Sequence, residues 1–373
     1  MRAKFYIPTW RSSYDKGCGT LARIPTFHAP TQAVKESLFF PAALELTHYH
    51  SAHCEPYANM LQALDFNPQA VTHTEELPFL PSGIFKSMKL RSTSAQEYSR
   101  SLTSSGTTSV QQVHVELDRE TAADQQRALA HIATDFIGEA RFPMLIIDRP
   151  SVLTREGGLS ARAAGVLGFS IFARRRVFAL KEDYTLNLPL IRTFLEQVNG
   201  GPFLLFGFTF MVWKYFCQVL RENTEHLDFS SGTLIHGGGW KKLQEQAVPP
   251  GEFHRALEEC CGLHHIYNYY GMAEQAGSVF FQCEAGRFHA SEFSEIFVRR
   301  GEDFSLCHVE EPGILQVLSL LPRSYPGHSI LTEDAATFLG VDNCPCGRLG
   351  RCFQIHGRLL QAQLRGCSDV YAR

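Results

Sequence analysis

The segment Tyr269-Tyr270-Gly271-Met272-Ala273-Glu274 puts two aromatic rings, a glycine and a carboxylate into one short stretch. An aromatic face can stack on a purine base, and glycine lets backbone approach a ligand closely. A glutamate can hold a hard cation such as Mg²⁺ through oxygen. Three further segments suit the same nucleotide-handling chemistry: Ser104-Ser105-Gly106-Thr107-Thr108-Ser109, His236-Gly237-Gly238-Gly239-Trp240 and Leu331-Thr332-Glu333-Asp334. The hydroxyl-rich loop can form a nest of backbone N–H groups for an anion, although it lacks the G-x-x-x-x-G-K-[ST] pattern of the usual ATPase loop. The three glycines follow an apolar strand, and ligands of open α/β sheets gather at the carboxyl ends of strands. A buried Asp334 could accept bonds from two ribose hydroxyls. Each segment taken alone also reads as a solvated turn; the four together carry the reading.

The elements that must position these loops alternate. Val113 to Leu117 reads as a strand. Asp118 reads as the N-cap of a helix running to Gly138, with Ala128, Leu129, Ile132, Phe136 and Ile137 on one stripe. Pro143 to Ile147 is a continuous apolar run, as in a buried parallel strand. Strands at 177–180, 202–206 and 232–235 then alternate with helices at 188–198, 211–223 and 253–261, which predicts an α/β fold with a largely parallel sheet. Beyond residue 275 the strand-like pieces 279–282, 295–299 and 313–320 have no long helices between them, so a β-rich subdomain is expected there. Toward the N-terminus, 38–46 and 57–64 look helical, and Leu77-Pro78-Phe79-Leu80-Pro81 must be extended because of its two prolines.

With 373 residues, 44% of them hydrophobic and 20% charged, the chain has ample length for a sizeable core. A net charge of −3 gives no strong field to recruit nucleic acid or an anionic membrane. The 28 Phe fit either a well-filled core or a greasy substrate channel. Met1-Arg2-Ala3-Lys4 leads into polar sequence, and the most apolar stretch, Phe203 to Trp213, is about half the ~20 residues of a membrane span. A cytoplasmic location without a membrane span is therefore expected. The 11 Cys then read as thiols or metal ligands rather than disulfides.

In order along the chain, the motifs resemble those of the acyl-adenylate-forming enzymes, the superfamily of acyl-CoA synthetases and firefly-type luciferases. Closer still, they are similar to the acyl-protein synthetase (LuxE) family. The residues that carry this are Leu77 to Pro81 with Phe85-Lys86, Ser105 to Ser109, His236 to Leu243, Tyr270-Gly271-Met272-Ala273-Glu274-Gln275, Ser324-Tyr325-Pro326-Gly327, Cys344-Pro345-Cys346-Gly347-Arg348, Gly357-Arg358 and Arg365-Gly366-Cys367-Ser368-Asp369. They span the chain from about residue 75 to its end.

The resemblance implies a large adenylate-forming domain over residues 1–357 and a short tail, 358–373, in place of a C-terminal domain of about a hundred residues. It implies that Ser104, Ser105, Gly106, Thr107, Thr108 and Ser109 cradle the β- and γ-phosphates of ATP. Gly237, Gly238, Gly239, Tyr269, Tyr270 and Gly271 would line the adenine pocket, Glu274 would bind Mg²⁺, Asp334 would hold the ribose and Arg358 would sit at the hinge. A carboxylic acid, fatty in kind, would attack the α-phosphate, and the mixed anhydride would then meet a thiolate. Cys367 matches the acyl-acceptor cysteine of the family, with Arg365 nearby to favour the thiolate. The resemblance also implies a structural zinc on Cys283, His289, Cys344 and Cys346, a closed site of three sulfurs and one imidazole. Two buried thiols flanking a turn are the alternative. An acyl-carrier or reductase protein would be the partner. Two other activities stay open: a coenzyme A ligase of the phenylacetate type, and a nucleotide-binding scaffold without catalysis.

Overall fold

The computed structural model describes residues 31–94, 98–103, 113–153, 159–222, 227–240 and 245–359. The expected phosphate loop, Ser104 to Ser109, and the expected acyl acceptor, Cys367, lie outside the described residues. The strands are β1 (Leu80–Pro81), β2 (Tyr98–Thr103), β3 (His114–Asp118), β4 (Phe142–Ile146), β5 (Leu159–Ser160), β6 (Ala173–Phe178), β7 (Phe203–Phe208), β8 (Gly232–Gly237), β9 (His265–Tyr270), β10 (Phe280–Phe281), β11 (Phe288–His289), β12 (Ser294–Arg299), β13 (Pro312–Ser319), β14 (Ser329–Val341) and β15 (Arg351–Arg358).

Three sheets form. The first runs β10-β9-β8-β7-β4-β6, parallel except for β10. The second is antiparallel, β11-β15-β14-β13-β12, with β1 added parallel to β14. The third joins β3, β2 and β5. The mixed α/β class and the β-rich C-terminal third are therefore as the sequence reads.

Both faces of the parallel sheet are covered by helices, so β7 is buried at every residue and can be apolar throughout. On one face the Phe169 ring lies 4.9 Å from Phe206, and Phe136 stacks on Phe281 at 4.7 Å. On the other, Phe253 of the helix Pro250–Cys261 stacks at 5.9 Å on Trp213. Much of the phenylalanine content is thus core. Asp118 caps the helix Arg119–Ile137 by accepting from the Thr121 N–H, and Gly138 ends it at φ 77°. The helix expected over 211–223 starts earlier, at Thr209, and passes through a π-helical stretch, Val212–Cys217. The strand expected at 177–180 is β6, which begins at Ala173 and includes the exposed Arg174, Arg175 and Arg176.

The N-terminal helix Gln32–His53 is tied to the antiparallel sheet by a buried ion pair, Lys35 Nζ to Glu295 Oε2 at 3.2 Å, with Gln32 Nε2 donating to the same carboxylate at 2.5 Å. A buried pair of this kind fixes geometry more than it adds stability. Among the described residues no helix is long and apolar enough to cross a membrane.

Candidate active site

The carboxyl ends of β8 and β9 meet the middle of β14 and the end of β15, and four of the expected site segments gather there. Gly237 pairs with Tyr269 across β8 and β9. A Cβ at Gly237 would come within 2.5 Å of the Tyr269 ring, so a side chain there would displace strand β9. Gly238 follows at φ 75°, a conformation that favours glycine, and Gly239 faces open space. Thr209 donates its hydroxyl to Gly237 O at 3.2 Å and contacts His236 Nδ1 at 3.0 Å. The single hydroxyl hydrogen goes to the carbonyl, so His236 Nδ1–H is the donor to Thr209. Burial holds that imidazole down at about 3, hence neutral. The glycine loop thus departs from a pinned carbonyl.

Tyr269 and Tyr270 face opposite sides of β9, as neighbours in a strand must. Tyr269 joins the aromatic core, 5.0 Å from Phe169, and burial pushes its phenol up. Tyr270 turns the other way and donates its hydroxyl to Asp334 Oδ2 at 2.6 Å. The structure therefore separates the two tyrosines, and only Tyr270 reaches the carboxylate. Gly271 leads from β9 into the turn Ala273–Gln275 that carries Glu274.

Glu274 is 8% exposed. Burial raises its carboxyl above the usual range, while Lys86 and Arg358 pull it back down and Glu333 pushes it up. Its backbone carbonyl accepts the Tyr325 hydroxyl at 2.7 Å, so the Ser324-Tyr325-Pro326-Gly327 loop holds the turn from below. Asp334 pairs with Arg358 across β14 and β15. Burial raises the Asp334 carboxyl too, opposed by the Tyr270 hydrogen bond and by Arg358. Arg358 Nη1 lies 3.7 Å from Glu333 Oε2, and Leu359 N–H donates to Glu333 O at 2.9 Å. Tyr270, Glu274, Asp334 and Arg358 therefore share one rim, beside the glycine loop.

Lys86 belongs to this rim and its role was not legible in the sequence. It reaches 3.6 Å from Glu333 Oε1 because β1 pairs in parallel with the first residues of β14, Leu80 with Ile330 and Pro81 with Leu331. Ser82 N–H extends that register by donating to Leu331 O at 2.9 Å. Phe85-Lys86 stands among the motif residues of the resemblance, which gives it no role, behind the extended Leu77 to Pro81 segment.

A single carboxylate such as Glu274 suits Mg²⁺, which keeps waters and takes its remaining ligands from substrate phosphates. The second metal candidate lies away from the rim. The ligand atoms of Cys283, His289, Cys344 and Cys346 all fall within 4.8 Å of one another. Cys283 and Cys344 sulfurs are 3.7 Å apart, Cys344 and Cys346 sulfurs 3.3 Å, and Cys346 Sγ is 3.4 Å from His289 Nε2. A tetrahedron with metal–sulfur bonds of about 2.3 Å has edges of about 3.8 Å, so the donor set fits zinc. Burial holds His289 at about 4, in the neutral form a metal needs.

A long-chain-fatty-acid–luciferin-component ligase of Aliivibrio fischeri is 23% identical over 334 residues, covering 87% of this chain and 85% of that protein. Among solved structures, an open conformation of 2-hydroxyisobutyryl-CoA ligase in complex with 2-HIB-AMP and CoA superposes with a TM-score of 0.68 at 15% identity, over 89% of this chain and 76% of that one. The same ligase in its thioesterification state gives a TM-score of 0.67 at 16% identity, over 89% and 69%. The sequence profile of the acyl-protein synthetase family matches residues 29–373, and the chain belongs to this acyl-protein synthetase (LuxE) family of acyl-adenylate-forming ligases.

Proposed function

We propose that the chain uses ATP to adenylate a long-chain fatty acid and passes the acyl group to a protein thiol, with Cys367 as the first acceptor. The observation that supports this most is the shared rim: Tyr270, Glu274, Asp334 and Arg358 converge beside the glycine loop. The similarity to a long-chain-fatty-acid ligase supports the choice of acid.

In this reading Asp334 accepts the ribose hydroxyls and the backbone of Gly237 to Gly239 admits the flat base. Tyr270 orients the Asp334 carboxylate and flanks the nucleoside. The Ser104 to Ser109 loop takes the β- and γ-phosphates. The acid's carboxylate attacks the α-phosphorus, the bond to the β-phosphate oxygen breaks, and pyrophosphate leaves. Mg²⁺ held by Glu274 would supply charge neutralisation on the phosphates during that step. Lys86 and Arg358 add positive charge at the same rim. A thiolate then attacks the acyl carbon and AMP departs. On the cluster of three cysteines and a histidine, zinc would be structural.

ATP–pyrophosphate exchange across a panel of acids tests the first half-reaction. Long-chain acids should support exchange; if no carboxylic acid does, adenylation is wrong. A second reading, transfer to free coenzyme A, is favoured by the fold of the ligase solved with CoA. Radiolabelled acyl transfer separates the two. Cys367→Ser abolishes labelling of the protein in the first reading and leaves CoA thioester formation intact in the second.

A further inference from the structure

Among the described residues, an edge of the parallel sheet has no strand beside it. In the order β10-β9-β8-β7-β4-β6, β6 is last, and among the described residues it pairs with β4 alone. Its residues Arg174, Arg175 and Arg176 are all exposed, in a chain whose net charge is −3. Among the described residues no carboxylate forms an ion pair with any of the three. Their recorded contacts are slight: Arg176 Nη1 donates to Ser170 Oγ at 3.4 Å, and the Arg175 guanidinium lies 5.9 Å from the Phe194 ring. At the carboxyl end of the strand a cavity of about 410 Å³ opens between Arg176, Phe178, Leu180, Lys181 and Leu190. It joins an apolar floor to one more cation, Lys181; the carboxylate of Glu182, which also lines it, is taken up by Ser151.

Charged side chains on a free edge keep like strands apart. Three consecutive arginines therefore disfavour a second copy of β6 at this edge. The same charges favour a strand carrying carboxylates, which would gain ladder hydrogen bonds and charge-assisted contacts together. We propose that the free edge of β6 is a docking strip for an extended, acidic segment of a partner protein. The segment adds as a strand beside β6, sets carboxylates against Arg174 and Arg176, which share one face, and places an apolar side chain in the cavity beyond the strand's end. β6 is parallel to β8 through β4 and β7, so its carboxyl end lies on the same side of the sheet as the glycine loop. Three strand spacings, about 14 Å, separate them. The proposal names the partner's chemistry for the acyl-transfer reading, and it rests on that reading only for what the partner then receives or delivers.

The test uses the full chain and a fluorescent peptide of alternating Val and Glu, with neither ATP nor acid present. The peptide should bind and should protect the amides of 173–178 from hydrogen exchange. Binding should weaken about tenfold or more in R174E/R176E, and also with rising salt. A peptide of alternating Val and Lys should not bind. Unchanged thermal melting of R174E/R176E shows that the variant folds. Peptide binding that ignores the substitutions, or that leaves 173–178 unprotected, overturns the proposal. So does a wild-type chain that binds phosphatidylserine–phosphatidylcholine vesicles or a DNA duplex through these arginines and leaves the peptide free. Because the assay needs no adenylation, a failed pyrophosphate exchange sinks the proposed function without touching this result.

Discussion

Tyr270 donates its phenol to Asp334 across 2.6 Å, joining the end of β9 to the middle of β14. One bond thereby links the residue expected beside the base to the residue expected on the ribose. Tyr270→Phe keeps the ring and removes only the donor. A hydrogen bond to a charged group is worth about 1.5–3 kcal/mol, so the KM for ATP should rise roughly tenfold or more. Asp334→Ala should be more severe, because the ribose hydroxyls lose their acceptor. Steady-state exchange at varied ATP measures both, and an unchanged KM in both variants removes Asp334 from the nucleotide site.

Glu274→Gln keeps the shape of the turn and the backbone carbonyl that accepts from Tyr325. The protein should stay folded and lose exchange by about 100-fold or more, with a higher Mg²⁺ requirement. Mg²⁺ titration of the residual activity is the check. A variant with a wild-type Mg²⁺ curve shows that the cation is held elsewhere.

Lys86→Met should lower exchange more than it raises the KM for ATP, since its charge adjoins Glu274 and Glu333 rather than the base. A drop of roughly tenfold in kcat is expected for one cation lost from a partly exposed site. If only stability changes, Lys86 is a surface tie.

Metal analysis of the purified chain should find one zinc per molecule. Cys344→Ser should lose it and melt on the order of 10 °C lower. A metal-free wild type with the same melting point makes the cluster a group of buried thiols.

Stability should fall in mild acid. Burial holds His236 and His328 down at about 3, and His50 well below its ordinary value. These rings fold neutral, whereas the unfolded chain protonates them near 6.5. Their contribution is complete above pH 6.5 and is lost progressively as pH falls toward the folded values. Between pH 6.5 and pH 5 each ring with a folded value near 3 removes about 2 kcal/mol. Urea midpoints at pH 8, 6.5 and 5 test this; a flat profile shows that protonated imidazoles are accommodated.

What the sequence made legible was local. The cap at Asp118, the apolar stripe after it and the all-buried β7 follow from spacing within one element. The site segments were legible as short loops next to strands. What stayed hidden depended on distant pairing. The early start of β6 was masked by its arginines, because an edge strand needs no apolar face. The length of β14, Ser329–Val341, could not be read where Glu333, Asp334 and Thr337 interrupt its apolar residues. Lys86 enters the site only through the register of β1 on β14. The opposite outlooks of Tyr269 and Tyr270 follow from strand geometry, yet only the ladder shows which of them meets Asp334.

The antiparallel pair of β14 and β15 has Asp334 opposite Arg358 at one end and Val341 opposite Arg351 at the other, close to the sulfur-rich knot of Cys283, Cys344 and Cys346. A shift of one residue along such a pair turns every side chain to the reverse surface. If Asp334 holds the ribose as proposed, the thiols would serve as a distant peg for that register, and their oxidation is expected to weaken ATP binding from afar.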